Sequence, residues 1–372
     1  GIRDPLWSRG LGDVYKRQSA IQMSLAIPRR LRSPISCLKS DHLQEGMKQD
    51  DVQKKWRKHQ TGPKPTPFVS KIVVYAVGGN ALAPPNGTEN EEHALVLAKV
   101  MSDVVDLLEA GWSVVLTHGN GPQVGELMTL DAEVSHSMDE WVAATQGMIG
   151  HTLSLQLNSI LKHRHRPERT AMVLTRVLVD ENDPAFSFPT KPVGPILSAS
   201  EVMERDWDIA TTVHGPRRVV ASPLPKRVLD LDVIRTLVEQ RAVVICGGGG
   251  GIPVIERERH YNGIPAVIDK DRLSSLLAVD LEAEALIIST GVSAVYTNFG
   301  QDDQCEHRHL TVEEAEKHLE QGQFPTGSMG PKIKSMIDAI VALPSMRSIL
   351  CQPGDALSAM RGDAGTTLSH DD

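Results

Sequence analysis

No run of about 18 consecutive apolar residues occurs in this chain of 372 residues, so no transmembrane helix is expected. Aromatic residues make up only 4%, which argues against a protein that holds nucleobases on stacking platforms. The four cysteines, Cys37, Cys246, Cys305 and Cys351, form no C-x-x-C pair and no zinc-ligand spacing, a usage that fits a reducing compartment. The Walker pattern G-x-x-x-x-G-K-[ST] is missing, which excludes a P-loop enzyme. No Ser/His/Asp order and no paired catalytic carboxylates stand out.

Charge is present but unevenly spread. Residues 1–67 carry 14 Lys+Arg against 6 Asp+Glu, and the remainder 25 against 41, for a net −8 overall. An acidic body argues against nucleic acid as the substrate. The basic segment has poor apolar periodicity and ends in the Pro-rich stretch 62–67. Within it, residues 23–39 hold Arg29, Arg30 and Arg32 with several serines and no acid. Two readings remain open: a disordered tail in a cytoplasmic protein, or a transit peptide for a mitochondrion or related organelle. Residues 1–18 read as a cloning or assembly scar and are left out of fold reasoning.

From residue 68 onward, strand-like and helix-like segments alternate. Short β-branched runs fall at 72–77, 113–116, 171–179, 219–221, 242–246, 285–289 and 348–351. Apolar residues at 94, 97, 98, 101, 104, 105 and 108 have helical spacing, with Gly111 placed as a C′ glycine. Segments 230–240 and 271–284 also read as helices. Thr311 and Glu314 form a capping box for a helix through 321, and Pro331 suits the first turn of a final helix ending before Pro344. This alternation predicts an α/β fold with a mainly parallel sheet covered on both faces. The Pro-, Ser- and Thr-rich stretch 180–218 is too long for an ordinary loop and reads as an inserted lid subdomain.

Three of the strand candidates end in glycine: CGGGGGIPV (246–254), Gly78-Gly79-Asn80, and Thr117 through Gln123 with Gly119, Asn120 and Gly121. Loops without side chains let backbone N–H groups approach a ligand closely, and phosphate is the usual one. Three such junctions predict a site at the carboxyl edge of the sheet. The segment from Gly119 begins like a dinucleotide fingerprint. However, Val124 replaces its third glycine and Pro122 sits where a helix opens, so a Rossmann dehydrogenase fits poorly.

Lys332, in a first helical turn, opposes the helix dipole at a cost of about 0.3–1 kcal/mol, which a bound anion offsets. Lys270 lies beside Asp271 at a strand-to-helix junction, where Asp271 can hold the ammonium or meet Mg²⁺ through water. Lys191 is flanked by prolines in the long insertion. Each lysine has a plainer reading as a solvated surface residue. Asn80 and Asn120 could simply occupy left-handed turns, and His118 suits packing or a hydrogen bond within its loop. Taken together, the glycine loops and lysines suit phosphoryl transfer, which needs anions aligned and their repulsion neutralised.

Eight segments, in order, resemble the carbamate kinases of the amino-acid kinase superfamily: VGGNA (77–81), SVVLTHGNGPQVG (113–125), ATQGMIG (144–150), PTKPVGP (189–195), GGGGIPV (248–254), AVIDKD (266–271), STGV (289–292) and GSMGPK (327–332). The T-K-P-x-G-P element is specific to that family. The resemblance implies a three-layer αβα sandwich and a homodimer. It implies a lobe over 68–240 for carbamate or carbamoyl phosphate and a lobe over 241–372 for ATP or ADP with Mg²⁺, bound without direct protein ligands. By position, it implies phosphate-facing roles for Lys191, Lys270 and Lys332, with Asp271 as their organiser. Gly78, Gly79, Asn80, Gly119, Asn120, Gly121, Gln146 and Gly147 would surround the transferred phosphoryl. Gly248, Gly249, Gly250, Gly251, Thr290, Gly291, Val292 and Met329 would meet the nucleotide. The family's reaction is ATP + carbamate ⇌ ADP + carbamoyl phosphate, run towards ATP in arginine breakdown by the deiminase route. Gly247, Ala221 and His151 depart from the family pattern, and none of these touches the lysines. Kinases of acetylglutamate or glutamate need an Arg or polar pocket for their side chains. A non-catalytic nucleotide sensor would be expected to lack one of the three lysines.

Overall fold

The computed structural model describes residues 71–78, 91–130, 136–212, 215–325 and 327–370. The basic segment 1–67, with its tail and transit-peptide readings, lies outside the described residues, as do Gly79 and Asn80.

Strand β1 (Ile72–Val77) is followed by α1 (Glu91–Glu109), β2 (Ser113–His118), α2 (Gly121–Leu130), α3 (Met138–His163) and β3 (Arg169–Met172). Next come β4 (Arg176–Leu178), β5 (Lys191–Val193), α4 (Ala199–Glu204), β6 (Ile209–Thr212), β7 (Gly215–Val220), β8 (Arg227–Val228) and α5 (Leu231–Glu239). The chain continues through β9 (Ala242–Ile245), β10 (Ile252–Arg257), β11 (His260–Gly263), α6 (Lys270–Asp280), β12 (Ala285–Ser289), β13 (Val295–Thr297), β14 (Cys305–His307) and β15 (His309–Thr311). It ends with α7 (Val312–Glu320), α8 (Met329–Ala342), β16 (Arg347–Cys351), α9 (Ala356–Arg361) and β17 (Thr366–Ser369).

The main sheet has eight strands in the order β15-β17-β16-β12-β1-β2-β9-β3. Every neighbouring pair is parallel except β16 with β17. The two-residue period of a strand builds both cores at once. Val73, Tyr75 and Val77 pack with α1, α3 and α9, whereas Val74 and Ala76 pack with the opposite layer of α5, α6 and α8. Both faces are therefore apolar, and β12 is buried along its whole length, as expected for a parallel sheet covered on each side. This is the expected three-layer αβα sandwich.

Gly111 follows α1 at φ +88°, and the Thr311–Glu314 capping box opens α7. Other expectations need correction. The apolar stretch 171–179 is not one strand: β3 joins the main sheet, while β4 joins a second sheet with β8, β10 and β11. The break falls where Thr175 leaves the strand and its Oγ1 accepts from Gly247 N at 2.8 Å. Pro122 does not stop a helix, because α2 begins at Gly121 and proline is tolerated in a first turn. The helix bearing Pro331 is not the last, since α9 and β17 follow it.

The inserted unit is an antiparallel sheet, β5-β7-β6, with α4 beside it. It spans 191–220, shifted from the 180–218 read in the sequence. Residues 180–190 are tied to the body by Asp180–Lys226 and Glu181–Arg257 ion pairs, with Phe186 packed on the main core. The inserted sheet meets the body where Gly194 crosses Gly125 of α2. A Cβ built on Gly125 falls 1.9 Å from the Gly194 Cα. Only glycine permits two backbones to pass this closely.

Candidate active site

Five adjacent strands, β16, β12, β1, β2 and β9, release their loops at one edge of the main sheet. Four of these loops, with β5 and β7 of the inserted sheet and the first turns of α2, α6 and α8, line a cavity of about 770 Å³, and the β9 loop reaches it at Gly249. That size suits a nucleotide and a small acceptor together. Helix N-termini point unpaired N–H groups at anions, so three of them around one cavity select for negative charge.

The cations are organised by two aspartates. Lys270 and Asp271 are buried at the start of α6. Asp271 Oδ1 accepts from Lys270 Nζ at 2.5 Å, and its Oδ2 accepts from Lys332 Nζ at 2.9 Å. Burial works against the Asp271 carboxylate, but Lys270 and Lys332 outweigh it and hold the carboxyl well below its ordinary range. Burial also opposes the Lys332 ammonium, yet Asp271 carries its pKa above the ordinary value. For Lys270, burial wins and the pKa falls, with the nearby Lys332 adding to the shift. The solvated-surface reading of both lysines is thereby excluded.

Asp269 was not singled out from the sequence. Its Oδ1 caps α6 by accepting from Asp271 N at 2.9 Å, and its other oxygen pairs with Lys191. Burial raises the cost of the Asp269 charge, but Lys191 leads the effects that hold its pKa below normal. An aspartate directly before a helix is an N-cap signal, so it was legible in I-D-K-D.

Arg217 was also missed. It lies 26 residues beyond Lys191, and the β5–β7 pairing, which sets Lys191 against Val220, brings both residues to the same cavity. Its Nη2 donates to Gly194 O at 2.5 Å, while Nε is buried with no partner among the described residues. Burial lowers its pKa and no carboxylate offsets this. Among the described residues lining the cavity, Lys99, Lys191, Arg217, Lys270, Arg272 and Lys332 outnumber Asp269 and Asp271, which leaves excess positive charge.

Gly78, Gly119, Asn120, Gly121, Gly249, Thr290 and Gly291 join these lysines on the wall. Asn120 is buried, donates to Thr145 Oγ1 at 2.9 Å, and its Oδ1 has no partner among the described residues. His118 bonds its own loop through Nδ1 and Gly119 O, 2.9 Å apart. Its pKa falls to about 4, mainly through burial and further through Lys270, so it is neutral near pH 7.

The other candidates sit behind this wall. Gln146 does not line the cavity. It supports the glycine loop by donating to Gly248 O at 2.8 Å and accepting from Thr175 N at 2.9 Å. Gly147, Gly248, Gly250 and Gly251 are likewise off the wall, and Val292 and Met329 pack against the core. The five-glycine run is closely packed on its Cβ side, and Gly249 reaches the cavity. A Cβ on Gly248 would strike His118 Cε1 at 2.4 Å, and one on Gly249 would strike Asn120 at 2.1 Å. Among the described residues, no group of three or more His, Cys, Asp or Glu could hold a metal ion, and no helix is long and apolar enough to cross a membrane.

The amino acid kinase family model matches residues 71–346. A carbamate kinase of Halobacterium salinarum is 40% identical over 305 residues, covering 80% of this chain and 97% of that protein. Among solved structures, Giardia lamblia carbamate kinase bound to citric acid aligns with a TM-score of 0.75 at 32% identity, covering 82% of this chain and 99% of that one. The same enzyme bound to AMP-PNP gives a TM-score of 0.73 at 31% identity, with equal coverage. With the aspartate-organised lysines at the sheet edge, these matches place the chain in the carbamate kinase family of the amino-acid kinase superfamily.

Proposed function

We propose that this chain catalyses reversible phosphoryl transfer between ATP and carbamate, giving ADP and carbamoyl phosphate. The observation that carries this reading is the single Asp271 carboxylate holding Lys270 and Lys332 in one cavity that Lys191 and Arg217 also line. A carbamate oxygen is already anionic and attacks the γ-phosphorus without a general base, which suits a site where His118 is buried and bonded within its own loop. The barrier is the repulsion of anions, and fixed cations and N–H groups lower it. Lys270 and Lys332 neutralise charge on the transferring oxygens. Arg217 and Lys191, carried on the inserted sheet, bind the phosphoryl from the acceptor side. The sheet acts as a lid that excludes water, because carbamate and carbamoyl phosphate decompose in solvent.

The donor set fits magnesium only as an ion brought by the nucleotide's phosphates. Both Asp271 oxygens and both Asp269 oxygens already have partners. Such an ion meets the protein through water, as Mg²⁺ commonly does. Bound there, it would supply charge neutralisation to the nucleotide's phosphates.

We assign carbamate and carbamoyl phosphate to the 68–240 lobe and the nucleotide to 241–372. We read the assembly as a homodimer and the setting as arginine breakdown in the cytoplasm, with organelle entry through residues 23–67 as the alternative. The reading is tested by ADP formation from ATP in ammonium bicarbonate, where carbamate forms spontaneously. ADP release that depends on ammonium bicarbonate supports it. Release that proceeds equally with acetylglutamate or glutamate instead contradicts it.

A further inference from the structure

A buried carboxylate unused by the chemistry above stands behind one wall of the cavity. Asp103, on α1, is only 1% exposed. Its Oδ2 accepts from Tyr75 Oη at 2.7 Å and from Gly354 N at 2.8 Å, and its Oδ1 accepts from Ala356 N at 3.1 Å. A buried carboxylate is costly unless such donors surround it. Two of the three, Gly354 N and Ala356 N, come from the short loop after β16 and the first residue of α9.

That loop forms cavity wall. Gln352 and Pro353 line it, and Gln352 Nε2 donates to Asp355 Oδ2 at 2.9 Å. Gly354 has φ +100°, in the left-handed region. At the loop's start, Cys351 O accepts from Thr290 N at 2.9 Å, which ties β16 to the Thr290–Gly291 wall. Asp103 thus reaches through the helical layer on one face of the sheet to hold a loop at its working edge.

We infer that Asp103 is a positioning residue for phosphoryl transfer, fixing the 352–356 loop so that Gln352 and Pro353 close the nucleotide wall beside Thr290 and Gly291. This rests on the phosphotransferase reading of the cavity. The chemistry makes the role specific. In Asp103→Asn the amide nitrogen replaces one acceptor oxygen. Whichever way the amide turns, either Gly354 N–H or Ala356 N–H then faces a donor, and the loop must move. Tyr75→Phe removes one donor to the carboxylate and leaves both loop bonds in place. Gly354→Ala strains the same loop from within.

The test is equilibrium binding of AMP-PNP with magnesium to the full chain, beside steady-state kinetics. Asp103→Asn and Gly354→Ala are expected to weaken AMP-PNP at least fivefold and raise the KM for ADP similarly. The KM for carbamoyl phosphate should stay within twofold. Tyr75→Phe is expected to lower the melting temperature but keep AMP-PNP affinity within twofold. Hydrogen exchange at the Gly354 and Ala356 amides should speed up in Asp103→Asn and stay unchanged in Tyr75→Phe. If Asp103→Asn does not fold, Gly354→Ala decides alone. Folded variants that bind AMP-PNP as the parent chain does overturn the inference, as does Tyr75→Phe losing affinity to the same extent. Failure of the parent chain to bind AMP-PNP overturns the functional reading and this inference together.

Discussion

Lys270 and Lys332, 62 positions apart in the sequence, are bound to opposite oxygens of the one Asp271 carboxylate. This relationship explains why two ammonium groups stay close together in a buried place. Burial is the main cause of the lowered pKa of Lys270, and repulsion from Lys332 adds to it. Asp271 offsets that repulsion while leaving the remaining ammonium hydrogens for phosphate oxygens.

Replacing either lysine by Met keeps the stem and removes the cation. For Lys270→Met and Lys332→Met, a loss on the order of 10²-fold or more in kcat is expected, the size typical of electrostatic donors at a reacting centre. Steady-state kinetics on folded protein checks this. A Lys332→Met variant with near-normal kcat and altered stability alone would show a structural lysine.

Gly125→Ala places a methyl group against the Gly194 backbone, where neither side has a flexible atom to yield. The inserted sheet must shift, taking Lys191 and Arg217 with it. We expect at least a tenfold loss of activity and destabilisation of about 1–3 kcal/mol. Kinetics and urea unfolding measure the two effects. Unchanged activity would show that the seating of the inserted sheet does not set the site.

His118 gives a pH dependence with a definite sign. Its folded-state pKa of about 4 lies below the ordinary 6.5, so the unfolded chain binds the proton more readily between those values. The contribution is complete above pH 6.5 and is lost as pH falls towards 4, amounting to about 3 kcal/mol. Urea unfolding at pH 7.5 and pH 4.5, compared between the parent and His118→Asn, isolates it from the carboxylates. The parent should lose more stability over that interval than the variant. Parallel losses would contradict the assignment.

Deleting residues 1–67 should leave activity and melting temperature nearly unchanged, because that segment has little apolar surface to bury. A loss of more than about 1 kcal/mol, a sizeable part of a typical total, would show that it belongs to the fold.

The sheet was legible where β-branched runs are bounded by glycine, as in 72–77 and 285–289, because burial on both faces demands such runs. It was illegible at 171–179, where an unbroken apolar run serves two sheets and the break depends on Thr175 bonding a distant loop. The lysines were legible one by one, but their sharing of Asp271 was not, since it depends on α8 packing beside α6. Arg217 carried no local signal: its place comes from the pairing of β7 with β5. The five-glycine run carried a signal of close approach without naming the approaching groups. The absence of side chains signals close approach, but the approaching groups are His118 and Asn120, not phosphate alone.

The most direct measurement is ATP formation by the purified chain from ADP and carbamoyl phosphate, with acetyl phosphate as the control donor. The account predicts magnesium-dependent ATP formation from carbamoyl phosphate, little from acetyl phosphate, and near-complete loss in Lys332→Met. No turnover above the metal-free blank in a folded sample would contradict it.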